Sequence, residues 1–344
     1  MHIRKRTFDD LLRAVFNRIE KFGQQVLPVP SKGGNKELFG VVLELTQPRA
    51  RLSRTEDRGV IFSALGELCW YLAGSNDLSF IQYYIRRGYE ADGNTGKVWG
   101  GYGPRIFNRK KTNQFTRIRK LLLKQPSSRR AVIQIFDAND LVRKHKDIPC
   151  TCTMQFLVRN NLLHMYVSMR SNDAYLGLPH DVFAFTMIQE LMARELGVGL
   201  GRYKHAAGSL HLYDIHQKKM QYFLDEDWQE AMSMPQMPDG SQRDAIEIVI
   251  DVERRLRFGE DVDIDALPLK NYWKDILKLL RIFSLTRDST DFGDRREAIQ
   301  IGRTMSSGFY DGYIRARAER LRRRQESAQL DLELKRSNLD ESER

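Results

Sequence analysis

The residue types best suited to chemistry fall between positions 149 and 181. Pro149-Cys150-Thr151-Cys152-Thr153-Met154-Gln155-Phe156 places a thiol at the start of an alternating segment that reads as a strand. Arg170-Ser171-Asn172-Asp173 follows on the next strand, and Leu176-Gly177-Leu178-Pro179-His180-Asp181 is a glycine-proline turn that carries a carboxylate into a helix. A sulfur nucleophile beside an arginine-serine pair suits an anionic substrate, and neighbouring positive charge favours the thiolate. Cys150 and Cys152 stand at i, i+2, which on a strand puts both on one face. Two thiols are a poor zinc site, and no metal is expected.

Other candidate groups lie on either side of this segment. Residues 60–73 are apolar on nearly every side except for Glu67. Such a carboxylate is a helix-edge residue, or paired with an arginine, or part of a site, since a largely buried helix must supply it with partners. The glycine-rich stretch 92–103 reads as a loop; a P-loop phosphate cradle requires a GK[ST] ending and a helix directly after it, and both are read as missing. Arg129-Arg130 precede a strand at 131–136, where paired arginines are commonly solvated surface. His211 and Tyr213 alternate on one strand face.

In order and spacing, these segments resemble the thymidylate synthase superfamily, which includes the pyrimidine nucleotide hydroxymethylases. Glu67-Leu68-Cys69-Trp70 resembles the family's Glu-Leu-x-Trp, and 92–103 its Gly-Pro-Val-Tyr-Gly segment with Trp99 in the tyrosine's place. Ser128-Arg129-Arg130 stands 20 residues ahead of Pro149-Cys150, and Gly208 to Tyr213 resembles Gly-x-x-His-x-Tyr. The resemblance implies Cys150 as the nucleophile at pyrimidine C6, with Cys152 as packing, and Glu67 serving proton transfers through ordered water. It implies Arg170, Ser171, Arg129, Arg130 and Lys32 for a 5′-phosphate, with Arg129 and Arg130 crossing a homodimer interface. Gln155 would also bind substrate, and His211 and Tyr213 would read the sugar hydroxyl. Asp173 and Gly177 would bind the pterin of methylene-tetrahydrofolate, the implied co-substrate. Asp181 stands where thymidylate synthases carry the asparagine that pairs with uracil, which turns the expected base toward cytosine. The expected activity is C5 hydroxymethylation of dCMP or CMP; methylation of dUMP and an idle, nucleic-acid-binding relative are the alternatives.

The elements that must position these groups follow from the rest of the chain. Its 344 residues, 41% hydrophobic and 29% charged, can bury a substantial core. No apolar run approaches the ~20 residues that span a bilayer, and the start of the chain leads into a helical pattern instead of a signal peptide's apolar run, so the expected compartment is the cytoplasm. Three cysteines are too few for a secreted disulfide framework. The net charge of +11 is uneven: residues 226–344 hold 21 Lys+Arg and 25 Asp+Glu, leaving 35 and 20 in residues 1–225. A phosphate-bearing small substrate needs only a few of those cations, and the retained Cys150, Glu67 and Arg170 argue against an idle chain, so nucleic acid is not the expected partner.

Periodicity predicts helices at 7–23, 115–124, 182–196, 217–232, 243–257, 271–286 and 295–337, strands at 37–47 and 131–136, and a loop through Pro28 to Lys36. The organisation expected is a catalytic domain at 1–225 and a helical C-terminal extension at 226–344. The resemblance implies an α+β fold, a large and mostly antiparallel sheet with packed helices, whose outer face meets its twin in the dimer.

Overall fold

Alternating burial builds the sheet, and near-continuous burial marks the helices that cover it. The computed structural model describes residues 1–342 apart from 30–32, 56–57, 228–229 and 290, with side chains except at 27–29 and 328–342. Two compact units divide between Ile250 and Asp251.

The first unit carries strands β1 (His2–Lys5), β2 (Gln24–Val29), β3 (Gly33–Leu45), β4 (Val132–Gln134), β5 (Thr151–Arg159), β6 (Leu162–Asp173) and β7 (Gly199–Tyr213). They form one sheet in the order β1-β3-β7-β6-β5-β4, with β2 also paired to β3. β1 with β3 and β6 with β7 are parallel; the other pairings are antiparallel. Leu163, Met165, Val167 and Met169 of β6 are buried at every second position, as are Tyr203, His205 and Ala207 of β7. Helices α1 (Phe8–Phe22), α2 (Ile61–Leu72), α3 (Leu78–Tyr84), α4 (Tyr102–Phe107), α5 (Gln114–Lys124), α6 (Gly177–Leu196) and α7 (Gln217–Asp225) complete the α+β arrangement.

Thr7 caps α1, accepting from the Asp10 amide at 3.1 Å. Three expectations are corrected. Of the stretch read as a loop from Pro28 to Lys36, Pro28 lies in β2 and Gly33 to Lys36 in β3, while 30–32 lie outside the described residues; among the described residues β2 pairs only with β3, and an edge strand tolerates a proline. Helix α6 begins at Gly177, five residues before its apolar pattern starts, because Pro179 falls in the first turn, where its fixed φ fits and its missing N–H is not needed. A short helix, α4, does follow the 92–103 loop, although the GK[ST] ending is lacking.

In α6 the fully buried Glu190 pairs with the fully buried Arg51 and accepts the Met237 amide at 3.0 Å. Losing one partner of a buried pair strands the other, so Glu190→Gln is expected to cost about 3–5 kcal/mol of unfolding free energy. Urea unfolding checks this, and coincident midpoints would show that Arg51 does not depend on that charge.

Helix α8 (Arg243–Arg257) crosses the division at residue 250. The second unit is otherwise α9 (Asn271–Thr286), α10 (Phe292–Arg303) and α11 (Asp311–Ser342). The single helix predicted over 295–337 is therefore two. Buried Asp275 accepts both the Ser306 amide at 3.0 Å and its hydroxyl at 2.6 Å, while Lys278 Nζ donates to the Thr304 carbonyl at 3.0 Å. These bonds satisfy the backbone at the break. No helix of the described residues is long and apolar enough to cross a membrane.

Candidate active site

Helix α2 is buried along almost its whole length and carries Glu67 into the interior, where the side chain is 3% exposed. Its Oε1 accepts from the Tyr71 hydroxyl one turn on, at 2.9 Å, and from the Tyr89 hydroxyl. Oε2 is buried with no hydrogen-bond partner among the described residues. A buried carboxylate oxygen without a donor is costly, which fits an atom reserved for a proton that arrives with substrate or water. Burial, and then the Glu67 charge, hold the Tyr71 and Tyr89 phenols well above their usual pKa, so both remain donors.

Tyr71 stacks on Tyr102 with ring centroids 5.2 Å apart. The Tyr102 hydroxyl accepts from the Thr151 amide and hydroxyl, each at 3.1 Å, and so stands against the residue that follows Cys150. Burial first, then the charges of Asp181 and Cys150, push the Tyr102 phenol up. One aromatic wall thus joins the Glu67 carboxylate to the Cys150 loop. Trp99, the residue matched to the family's tyrosine, instead donates its indole N–H to Asp140 at 2.7 Å.

Cys150 is half-buried and lies just before β5. Arg170 holds its loop from β6: Nε donates to the Pro149 carbonyl at 3.0 Å, Nη2 to the Ile148 carbonyl at 2.9 Å, and the Arg170 amide to the Cys150 carbonyl at 2.9 Å. The strand spacing expected for Cys150 and Cys152 does not apply, because Cys150 lies outside β5. Register along β5 slips between Thr151 and Thr153, a bulge that leaves Cys152 out of the ladder, and the Cys152 carbonyl accepts from the Ile135 and Phe136 amides at 2.9 and 3.2 Å.

Asp181 lies in the second turn of α6. Burial first, then the Glu67 charge, raise its pKa well above the usual carboxylate range; the Asn172 hydrogen bond opposes them and the Asp173 charge adds to them. Asn172 Nδ2 donates to Asp181 Oδ2 at 2.7 Å, and Asn172 Oδ1 faces His205 Nε2 at 3.1 Å. His205 Nδ1 meets the Tyr203 hydroxyl at 2.8 Å. Burial pushes His205 down to about 3, so the ring is neutral. Its Nε2–H donates to the amide oxygen and its Nδ1 accepts from the phenol, which fixes the Asn172 amide with its NH₂ toward Asp181. A Cβ on Gly177 would stand 3.1 Å from that NH₂, so glycine keeps the amide uncrowded.

Asp173 Oδ1 accepts from the Tyr175 and Leu176 amides at 2.8 and 3.0 Å, which fixes the carboxylate beside Gly177. A fixed acceptor of this kind fits the N–H donors of a pterin. His211 pairs in register with Asp173, and its ring meets Tyr213 edge-on at 4.9 Å. Burial, then the charges of Asp173 and Cys150, raise the Tyr213 phenol.

Glu67, Cys150, Asp173, Gly177, Asp181, His211 and Tyr213 therefore share one neighbourhood, with Arg170 bracing it. Ser171 is half-buried on β6 opposite Ser209. Arg129 and Arg130 are elsewhere: both are exposed ahead of the edge strand β4, and Gln155 Nε2 donates to the Arg129 carbonyl at 2.9 Å. Lys32 lies outside the described residues. Sequence reasoning gave no role to Tyr71, Tyr89, Tyr102, Asn172, Tyr203 or His205. Three of these had a signal: Tyr71 is i+4 from Glu67 on a helix, and Tyr203 and His205 are i, i+2 on a strand.

The sequence model of the thymidylate synthase family matches residues 34–272, and the chain belongs to that family. Its members are one-carbon transferases that act on pyrimidine nucleotides with methylene-tetrahydrofolate as co-substrate. Thymidylate synthase of Francisella tularensis subsp. holarctica is 24% identical over 218 residues, 59% of this chain and 78% of that protein. A deoxyuridylate hydroxymethyltransferase of Delftia phage PhiW-14 is 30% identical over 202 residues, 55% of this chain and 56% of its own length. Among solved structures, thermostable thymidylate synthase A from Bacillus subtilis shares the fold, with a TM-score of 0.56 and 22% identity over 65% of this chain and 86% of that one.

Proposed function

We propose that this protein hydroxymethylates C5 of a cytidine 5′-monophosphate, dCMP or CMP. The observation that carries the reading is Asp181: a carboxylate held by Asn172, with its pKa raised by burial, at the position matched to the family's uracil-reading asparagine. In this reading Cys150 adds through sulfur to C6, which moves electron density to C5 and makes that carbon the nucleophile. Asp181 pairs with the N3 and N4 edge and helps draw electrons as sulfur adds. Glu67, with one oxygen bound by two phenols and the other open, moves protons through water near the ring. Bound methylene-tetrahydrofolate supplies the one-carbon unit, and Asp173 with Gly177 would hold its pterin. His211 and Tyr213 read the sugar hydroxyl, Arg170, Ser171 and Lys32 serve the phosphate end, and Gln155 also binds substrate.

The exposed Arg129 and Arg130 are assigned to the partner's phosphate in a cytoplasmic homodimer, with residues 1–225 as the catalytic domain and 226–344 as its helical extension. Mixing Arg130→Ala chains with Cys150→Ala chains, each inactive alone, is then expected to restore activity through hybrid dimers. No recovery after demonstrated subunit exchange would remove the cross-dimer assignment.

The second reading takes dUMP as the substrate, and the name of the phage relative favours it. Incubation with CMP, dCMP and dUMP plus methylene-tetrahydrofolate, with products weighed by mass spectrometry, separates the two. The expected product is a cytidylate heavier by CH₂O, with tetrahydrofolate released. Exclusive turnover of dUMP, or a gain of CH₂ with stoichiometric dihydrofolate, would overturn the proposal.

A further inference from the structure

We propose that His145 and Asp92 are positioning residues whose contact clasps the loop carrying Cys150 to the loop carrying Tyr89, so that Cys150 and Glu67 address the same nucleotide. The inference rests on the assignment of Cys150 and Glu67 above.

The two loops are far apart in sequence, and the clasp uses both oxygens of one carboxylate. Asp92 Oδ2 pairs with His145 Nδ1, and Asp92 Oδ1 accepts the Lys146 amide at 2.8 Å. The His145 hydrogen bond first, and then the Lys146 amide, hold Asp92 below the usual carboxylate range, so it is an anion at neutral pH. Trp99, from the Asp92 loop, lies on the His145 ring with centroids 3.9 Å apart and planes 8° from parallel. Its indole N–H reaches back to Asp140 at 2.7 Å, and Arg105 forks onto the same carboxylate at 2.7 and 2.8 Å.

The His145 side chain is 1% exposed, and its Nε2 is buried without a partner among the described residues. A ring kept only for stacking on Trp99 needs no nitrogen; phenylalanine would give the same contact without a stranded polar atom. The imidazole is therefore explained by its bond to Asp92. Tyr89, which donates to Glu67, precedes Asp92 by three residues, and Cys150 follows His145 by five. Displacing one loop against the other shifts the nucleophile relative to Tyr89, the phenol that holds the Glu67 carboxylate. Misplacements of about 1 Å cost about 10²-fold in rate.

The test separates rate from affinity in the full-length protein. His145→Phe keeps the stacking and removes the bond; Asp92→Asn keeps an acceptor for Lys146 and removes the charge; His145→Gln restores a donor. With saturating 5-fluoro-dCMP and methylene-tetrahydrofolate, the rate of covalent adduct formation is expected to fall about 10²-fold in His145→Phe and Asp92→Asn, with nucleotide affinity unchanged. His145→Gln is expected to recover most of that rate. A wild-type adduct rate in folded His145→Phe would overturn the proposal, as would a loss confined to nucleotide affinity. Failure of both disrupting variants to fold would make the clasp a folding element and overturn it as well. Cys150→Ala in the same assay guards the underlying assignment: an adduct there removes the nucleophile, not the clasp.

Discussion

Cys150→Ala is expected to turn over no nucleotide and to form no adduct with 5-fluoro-dCMP, whereas Cys152→Ala keeps measurable activity. Cys150 lies in the loop before β5, whereas Cys152 lies within the strand at a bulge between Thr151 and Thr153. Cys150 sits in a loop fastened by three Arg170 bonds and within electrostatic reach of Tyr102 and Tyr213. Cys152 contributes a carbonyl to two amides, and that role survives truncation of its side chain. Losing a nucleophile costs about 10⁴ to 10⁶-fold in turnover, well clear of a packing change. Fluorine at C5 removes the proton whose loss would release sulfur, so adduct mass reads the attack directly. A dead Cys152→Ala chain beside an adduct-forming Cys150→Ala chain would reverse the assignment.

The site was legible in the sequence wherever a residue conflicts with its local pattern. Glu67 breaks an apolar helix, Cys150 opens an alternating strand, and Asp181 follows a glycine-proline turn; the structure places all three in one neighbourhood. What stayed hidden depends on register and on loop contacts. Asn172 meets His205 across 33 positions although the two are not register partners, Asn172 pairing with Leu210 and His205 with Val167, and nothing local to either residue announces it. Tyr89 reaches Glu67 from an irregular loop that has no periodicity to read. In the fold, hydrophobic periodicity found most helices, while turn chemistry was over-read at Pro28, where an edge strand accepts what a central strand would refuse. The break near Ser306 is marked locally by Ser307, which caps a short turn, but the buried Asp275 that holds it lies 31 residues upstream.

Asp181→Asn is expected to lose cytosine turnover and gain uracil turnover, changing the ratio of the two by about 10⁴-fold, the scale on which a site rejects a partner that leaves its polar groups unpaired. Cytosine offers an N4 amino donor beside an N3 acceptor, and uracil offers an O4 acceptor beside an N3–H donor. One pose serves both the native aspartate and its asparagine replacement: for Asp181, Oδ1 meets the exocyclic group and Oδ2, which already accepts from Asn172, meets N3. The proton that burial retains on Asp181 is then the one cytosine N3 requires. An asparagine in the same pose keeps its carbonyl toward Asn172 and N3 and turns its NH₂ toward the exocyclic position, which suits O4 and opposes an amino group. The pH dependence follows with a definite sign. Because the Asp181 pKa is raised, cytosine turnover falls as pH climbs through it, and the asparagine variant loses that limb of the profile. Stability moves the same way: the folded chain holds this proton more tightly than the unfolded one, so wild-type stability declines as pH rises from the unfolded carboxylate pKa of about 3.9 to the raised folded value, then levels off. The asparagine variant lacks that decline, so denaturant unfolding on the alkaline side should find it relatively more stable than at acid pH. A wild-type protein that prefers dUMP, or an Asp181→Asn chain that keeps full cytosine turnover, would remove Asp181 from the reading of the base.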